Sequence, residues 1–271
     1  MVAVTQEFEA RDFVKVRSSL DPGQQSFLTW SGSIYAFVPE QPRQCLFKMV
    51  GMSVSRCLPV AENAWDFTSR ELTYYLDPTS GEMLQTWQNP WTEETLTVVH
   101  VANSPVQGAF KRQFPAQVDG DTTTFIFDLF PTYPNSLAED PQFGDYSPQA
   151  IYQAAELFKL SVPTQDLLDP AILSVSDLRL SWDRIGPWVP WMKMGDRPGH
   201  LIYSACGRKV SGVPELPPLL QEQIQTRVPL FQNDPPCLPR GGGYDLLVIL
   251  SSAFPVLSSG CGVPDASNPS R

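Results

Sequence analysis

Histidine is almost missing from this chain of 271 residues, where only His100 and His200 occur. Tight zinc and non-haem iron sites draw on two or three histidines with a carboxylate, and neither HxxxH nor HxD spacing is present. A metal cofactor is therefore not expected. The loops that announce other chemistry are missing too: there is no GxSxG elbow, no GxxxxGK[ST] cradle and no GxGxxG turn. That leaves nucleotide, flavin and nicotinamide cofactors, and a nucleophile triad, without support.

Positive charge is scarce. Nineteen Lys and Arg stand against 29 Asp and Glu, for a net charge of −10. A protein that neutralises phosphates needs a basic stripe, and none exists, which excludes nucleic acid and disfavours an anionic membrane surface. Long apolar runs are lacking as well. The longest, residues 246–257, is broken by Ser251, Ser252 and Pro255 and is too short to span a bilayer. The N-terminal residues show no basic segment followed by an apolar one, so no signal peptide is read. Five cysteines without CxxC spacing, and no glycosylation sequon, predict free thiols and a cytoplasmic location.

What is abundant is proline and aromatic surface. Twenty-seven prolines, about twice average usage, argue against long helices and for short elements joined by turns. Strand-like runs recur at 27–38, 45–55, 70–76, 82–88, 96–103, 106–118, 122–130, 178–185 and 200–208. Gly81 and the pair Asp119-Gly120 supply hairpin turns. Two helices are predicted. One is capped by Ser147 with Pro148 at its first position and Ile151, Ala154, Ala155 and Phe158 on one face; the other spans 218–227 with Leu219, Leu220 and Ile224 inward. The expectation is a mainly β protein, an antiparallel β-barrel of about nine strands with two short helices. It divides into a lead-in (1–25), one barrel domain (26–240) and a Gly/Ser-rich tail (241–271), disordered in part or adding an edge strand at 246–250.

Candidate site residues cluster in two aromatic segments. Trp87-Gln-Asn-Pro-Trp-Thr92 sets Trp87 and Trp91 around a turn, which suits a structural plug as well as a pocket rim. Between Trp182 and Gly199, Trp182, Trp188, Trp191 and Met194 interleave with Lys193, Asp196 and Arg197. Either this is a lid whose charges pair at the surface, or an apolar pocket wall with Lys193 and Arg197 as convergent donors. Tyr203 and Phe127 are further candidate walls. His100, read as mid-strand, is either a satisfied core histidine or a proton donor or acceptor. Asp128, among large apolar residues, must be paired, protonated or facing water.

Four stretches carry a resemblance: 70–82, Trp87-Gln-Asn-Pro-Trp-Thr92, Val98-Val-His-Val-Ala-Asn-Ser-Pro105 and Pro190-Trp-Met-Lys-Met-Gly-Asp-Arg-Pro-Gly199. Together they resemble a bacterial and fungal domain family of unknown function over roughly residues 25–235. Within it, the chain is similar to the fungal enzymes that join a tropolone to a humulene-type sesquiterpene by a hetero-Diels–Alder reaction. The resemblance implies a β-barrel with an internal pocket, homodimeric and cofactor-free, taking a small apolar or aromatic substrate. It assigns no catalytic residue. A non-catalytic carrier of an apolar metabolite, and a hydrolase or isomerase pairing His100 with a carboxylate, stand as alternatives.

Overall fold

A computed structural model of the chain describes residues 4–134 and 149–235. In chain order its strands are β1 (Val4–Phe8), β2 (Ser26–Phe37), β3 (Gln44–Ala61), β4 (Ala64–Leu76), β5 (Thr86–Gln88), β6 (Thr95–Thr97) and β7 (Val101–Phe110). There follow β8 (Phe114–Asp119), β9 (Thr122–Leu129), β10 (Thr132–Pro134), β11 (Ile151–Gln153), β12 (Ala155–Pro163), β13 (Arg179–Gly186) and β14 (His200–Val210). Three α-helices accompany them: α1 (Ala10–Arg17), α2 (Thr164–Leu168) and α3 (Pro218–Thr226). Ten strands form one antiparallel sheet in the order β1-β8-β9-β12-β13-β14-β2-β3-β4-β7, while β5 pairs with β6 and β10 with β11. The mainly β expectation holds, and the large sheet curls into a half-barrel.

Chain connectivity forces the curl. β7 and β8 lie eight strand steps apart in the sheet, roughly 38 Å if it were flat. Yet only residues 111–113 join them, a connection that reaches at most about 14 Å. The two flanks must therefore meet at that corner, and the rings of Phe110 and Phe114 stand 6.0 Å apart there.

Alternation along each strand divides the sheet into two faces. The outer faces of β2, β3, β4 and β14 present Phe27, Val50, Met52, Val54, Leu72, Tyr74 and Val210, which Leu220 and Ile224 of α3 and Phe231 cover. Inside, apolar side chains gather at two ends. One cluster surrounds α1, with Phe13, Phe110, Phe114 and Phe125. The other holds Phe47, Tyr75, Trp188 and Trp191. Trp30 and Trp182 touch both, and a polar belt lies between.

The segment read as a lead-in is built into this core. Ala10, Phe13, Val14 and Arg17 share one face of α1 by their helical spacing. Phe13 is 2% exposed and stacks on Phe114 at 4.0 Å, with Phe110, Phe125 and Phe127 edge-on around it. Two lysines fix the helix ends. Lys15 Nζ donates to the Asp166 and Asp169 carbonyls at the end of α2, and Lys209 Nζ to the Lys15 and Ser18 carbonyls at the end of α1.

Several expectations are met in detail. Gly81 (φ 75°) and Gly120 (φ 62°) take left-handed turn conformations, and α3 falls on the expected helix. One is overturned: the segment from Ile151 to Phe158 is not helical but forms β11 and β12. The spacing of Ile151, Ala154, Ala155 and Phe158 fits a helix, but Glu156, Phe158, Leu160 and Val162 alternate onto the inner face of a strand paired on both sides. Tertiary pairing decided between two periodicities. Ser147, Pro148 and the tail at 246–250 lie outside the described residues.

Phe13→Ala is expected to cost about 3–5 kcal/mol, as for a large aromatic removed from a packed core. Urea unfolding of both proteins measures it; a loss under about 1 kcal/mol would show that α1 is only loosely docked.

Candidate functional site

The tryptophan-rich segment closes the mouth of the half-barrel opposite α1. Pro190–Met192 forms a 3₁₀ turn that buries Trp191 and Met192, and Lys193 follows in the left-handed conformation (φ 50°). Trp191 packs on Phe47, Tyr75 and Trp87, and Trp91 on Trp188. Asn89, fully buried, clasps the two segments together. Its Nδ2 donates to the Met192 carbonyl (2.9 Å) and to Met194 Sδ (3.3 Å), while its Oδ1 accepts the Trp91 and Thr92 amides (2.9 and 3.3 Å). This is a plug with surface charges. Lys193 reaches Glu94 at 3.9 Å, both partly exposed, and Arg197 contributes its carbonyl to the Trp188 indole N–H at 3.0 Å.

Of two other nominated residues, Asp128 takes the water-facing one of its expected placements and His100 departs from the expected mid-strand position. Asp128 sits exposed on the outer face of β9, opposite the exposed Leu157. His100 is not mid-strand but precedes β7, where its Nδ1 accepts the Tyr75 amide at 3.1 Å. Burial drives its pKa down to about 4, against an opposing backbone hydrogen bond at Leu84, so the ring stays neutral with its lone pair engaged. Trp182, Tyr203 and Phe127, by contrast, do face the interior.

There the polar belt joins two walls. On one, Glu71 of β4 stands opposite Ser53 of β3 and Asn103 of β7. Arg17 reaches in from α1, donating to Ser55 Oγ (3.0 Å) and Ser53 Oγ (3.3 Å) with its guanidinium over the Phe67 ring. Glu71 Oε1 accepts from Ser69 at 3.3 Å. On the facing wall, Glu156 of β12 forms an ion pair with Arg184 Nε and accepts a hydrogen bond from Trp182 Nε1, each at 3.3 Å. Arg184 also lies over the Tyr203 ring, 5.0 Å from its centroid. Trp30 lies across Gly51 so closely that a Cβ there would fall inside the indole, a reason for glycine at that position.

The two walls feel each other electrostatically. Glu156 is pushed up to about 7, first by burial and next by the negative charge of Glu71, while the hydrogen bond from the Trp182 indole pulls it back. β4 and β12 are five strand steps apart, roughly 24 Å on a flat sheet, too far for that influence. The curl brings the two carboxyls within electrostatic reach of each other. Burial also raises Glu71 and lowers Arg17, each opposing the other's shift. Tyr75 is held well above its usual value, by burial and then by the Tyr203 hydroxyl, which itself finds no partner of full hydrogen-bond geometry.

Arg17, Glu71, Glu156, Trp30, Trp182 and Phe127 nevertheless all keep accessible surface. Inward groups that are strongly desolvated yet accessible line a lumen. Paired acids, guanidinium groups and aromatic walls are the residue types that acid–base chemistry on a small molecule uses. The sequence did carry a signal for the members it missed: Glu71 falls in the inward set Phe67, Ser69, Glu71, Thr73, Tyr75, and Glu156 and Arg184 likewise interrupt inward apolar sets.

The fold and belt thus define a curled antiparallel β protein with a desolvated polar lumen. The chain belongs to the family described as "Protein of unknown function (DUF1838)", whose model matches residues 23–241. No curated protein matches the chain. Among the described residues, no three or more His, Cys, Asp or Glu side chains gather to hold a metal, and no helix is long and apolar enough to cross a membrane.

Asn89→Ala strands the Met192 carbonyl and two amides in the plug and is expected to cost about 3 kcal/mol or more. Lys193→Gln removes an exposed pairing and is expected to cost less than about 1 kcal/mol. Chemical denaturation ranks the two; equal losses would contradict the clasp.

Proposed function

We propose that the lumen is the pocket of a cofactor-free cyclase, and that its reaction is the hetero-Diels–Alder joining of a tropolone quinone methide to a humulene-type sesquiterpene. The observation that supports an acid–base pocket is Glu156: a carboxyl near neutral pKa, oriented by Arg184 and Trp182 and facing a second carboxyl. The tropolone and sesquiterpene identities come from the sequence resemblance alone.

The chemistry suits these groups. Protonated Glu156 gives its proton to the hydroxyl of a hydroxymethyl tropolone as the C–O bond breaks and water leaves. The ring hydroxyl then loses its proton to the carboxylate just formed, its electrons move into the ring, and an exocyclic C=C results. The net change is loss of one water, with Glu156 restored. Arg184 stabilises the carboxylate and the developing ring oxyanion. Cycloaddition follows with one new C–C and one new C–O bond and no proton transfer, so the walls contribute by positioning. Trp30, Trp182 and Phe127 offer apolar surface for the alkene.

The carrier alternative shares the lumen but needs no proton donor. Glu156→Gln keeps the shape and removes the acid, and turnover of hydroxymethyl tropolone with the alkene is expected to fall on the order of 100-fold or more while the melting curve persists. Because the acid form is the active one, wild-type turnover is expected to decline as pH rises through about 7. A folded Glu156→Gln protein with undiminished turnover would overturn the reading.

A further inference from the structure

Arg17 and Glu71 are neighbours in a desolvated lumen, yet they are not an ion pair. The ion pairs within 4.0 Å among the described residues are Arg56–Asp234, Arg184–Glu156 and Lys193–Glu94. Arg17 is instead satisfied by the hydroxyls of Ser53 and Ser55 and by the Phe67 ring, and Glu71 by Ser69 with a further hydrogen bond from Asn103. Buried opposite charges usually close on each other, since separation leaves both without a counter-charge in contact. Here neutral side chains hold them apart, and both keep accessible surface. Arg17 is a donor that cannot be deprotonated and Glu71 a carboxyl that accepts, and the Trp30 indole lies on Gly51, two residues along β3 from Ser53, the residue paired with Glu71.

We infer that the gap between Arg17 and Glu71 is a head-group subsite for a planar vicinal hydroxy-carbonyl. The ligand carbonyl accepts from Arg17, its hydroxyl donates to Glu71, and its ring lies along Trp30. One oxygen of each kind completes both charges at once, which a plain alcohol or a plain ketone does not. The subsite deepens the proposed cyclase reading and rests on it only in taking the lumen as a ligand chamber. It assigns Arg17 and Glu71 to recognition and leaves the proton transfer to Glu156.

The test uses the full chain with two probes, tropolone and 2-methoxytropone, in which the hydroxyl is blocked. Titration calorimetry is expected to show tropolone bound at least about tenfold tighter than its ether, as for a hydrogen bond to a charged group. Glu71→Gln is expected to abolish that preference, and Arg17→Lys to weaken both probes about tenfold by losing the planar fork. Melting curves establish that each variant is folded; should Arg17→Lys not fold, the preference in wild type and Glu71→Gln decides. Equal affinity for the two probes in the wild type, no binding of either, or a preference kept in Glu71→Gln overturns the subsite. The outcomes separate from those of the cyclase reading. A tropolone preference alongside full turnover in Glu156→Gln leaves the subsite and removes the acid, and the converse result does the opposite.

Discussion

Phe13 stacks flat on Phe114 while Phe110, Phe125 and Phe127 meet it edge-on, and this aromatic knot sits where the two flanks of the sheet come together. A three-residue link between β7 and β8 leaves the sheet no choice but to curl, and the curl opens an interior that must be filled. α1 fills one end of it. The tryptophan turn clasped by Asn89 fills the other. Between these plugs the chain places Arg17, Glu71, Glu156 and Arg184 where an apolar core would be simpler.

Such a belt is costly. Taking carboxylates and guanidinium groups out of water carries a penalty of several kcal/mol per ion, which even a good ion pair only offsets. Well-packed apolar residues of similar size would serve stability as well or better. Arg184 with Glu156 is a contacting pair, but Arg17 and Glu71 are held apart by serines and an asparagine, an arrangement with no evident structural gain. Departures from local consistency of this kind gather at functional sites, and the aromatic walls on both sides give a small molecule something to lie against.

Much of the fold was legible. Turn residues with a mechanism, Gly81 and Asp119-Gly120, marked hairpins, and β-branched and aromatic runs marked β2, β9, β13 and β14. α3 announced itself through Pro218 and the spacing of Leu220 and Ile224. What failed was local. Residues 151–158 satisfy helical and strand periods at once, and only the pairing of β12 with β9 and β13 resolves them. α1 went unread because eight residues between a strand and a turn give too short a pattern. The polar belt was harder to read, because the tryptophans with Lys193 and Arg197 are the conspicuous feature of the sequence, and they form the plug. The inward carboxyls, Glu71 and Glu156, are ordinary glutamates in the sequence, and their juxtaposition comes from sheet curvature, a property of ten strands together. Glu156 and Arg184 did stand out of period on inward faces, a signal that becomes readable once the strands are known.

The central claim is that Glu71 and Glu156 face each other across a desolvated lumen. Carbon-13 NMR titration of carboxyl-labelled glutamate, with Glu156 assigned by comparison with Glu156→Gln, tests it directly. Glu156 is expected to titrate near 7 in the wild type and at a lower pH in Glu71→Gln, where the neighbouring negative charge is gone. An ordinary carboxylate titration for Glu156, unmoved by Glu71→Gln, would contradict the account.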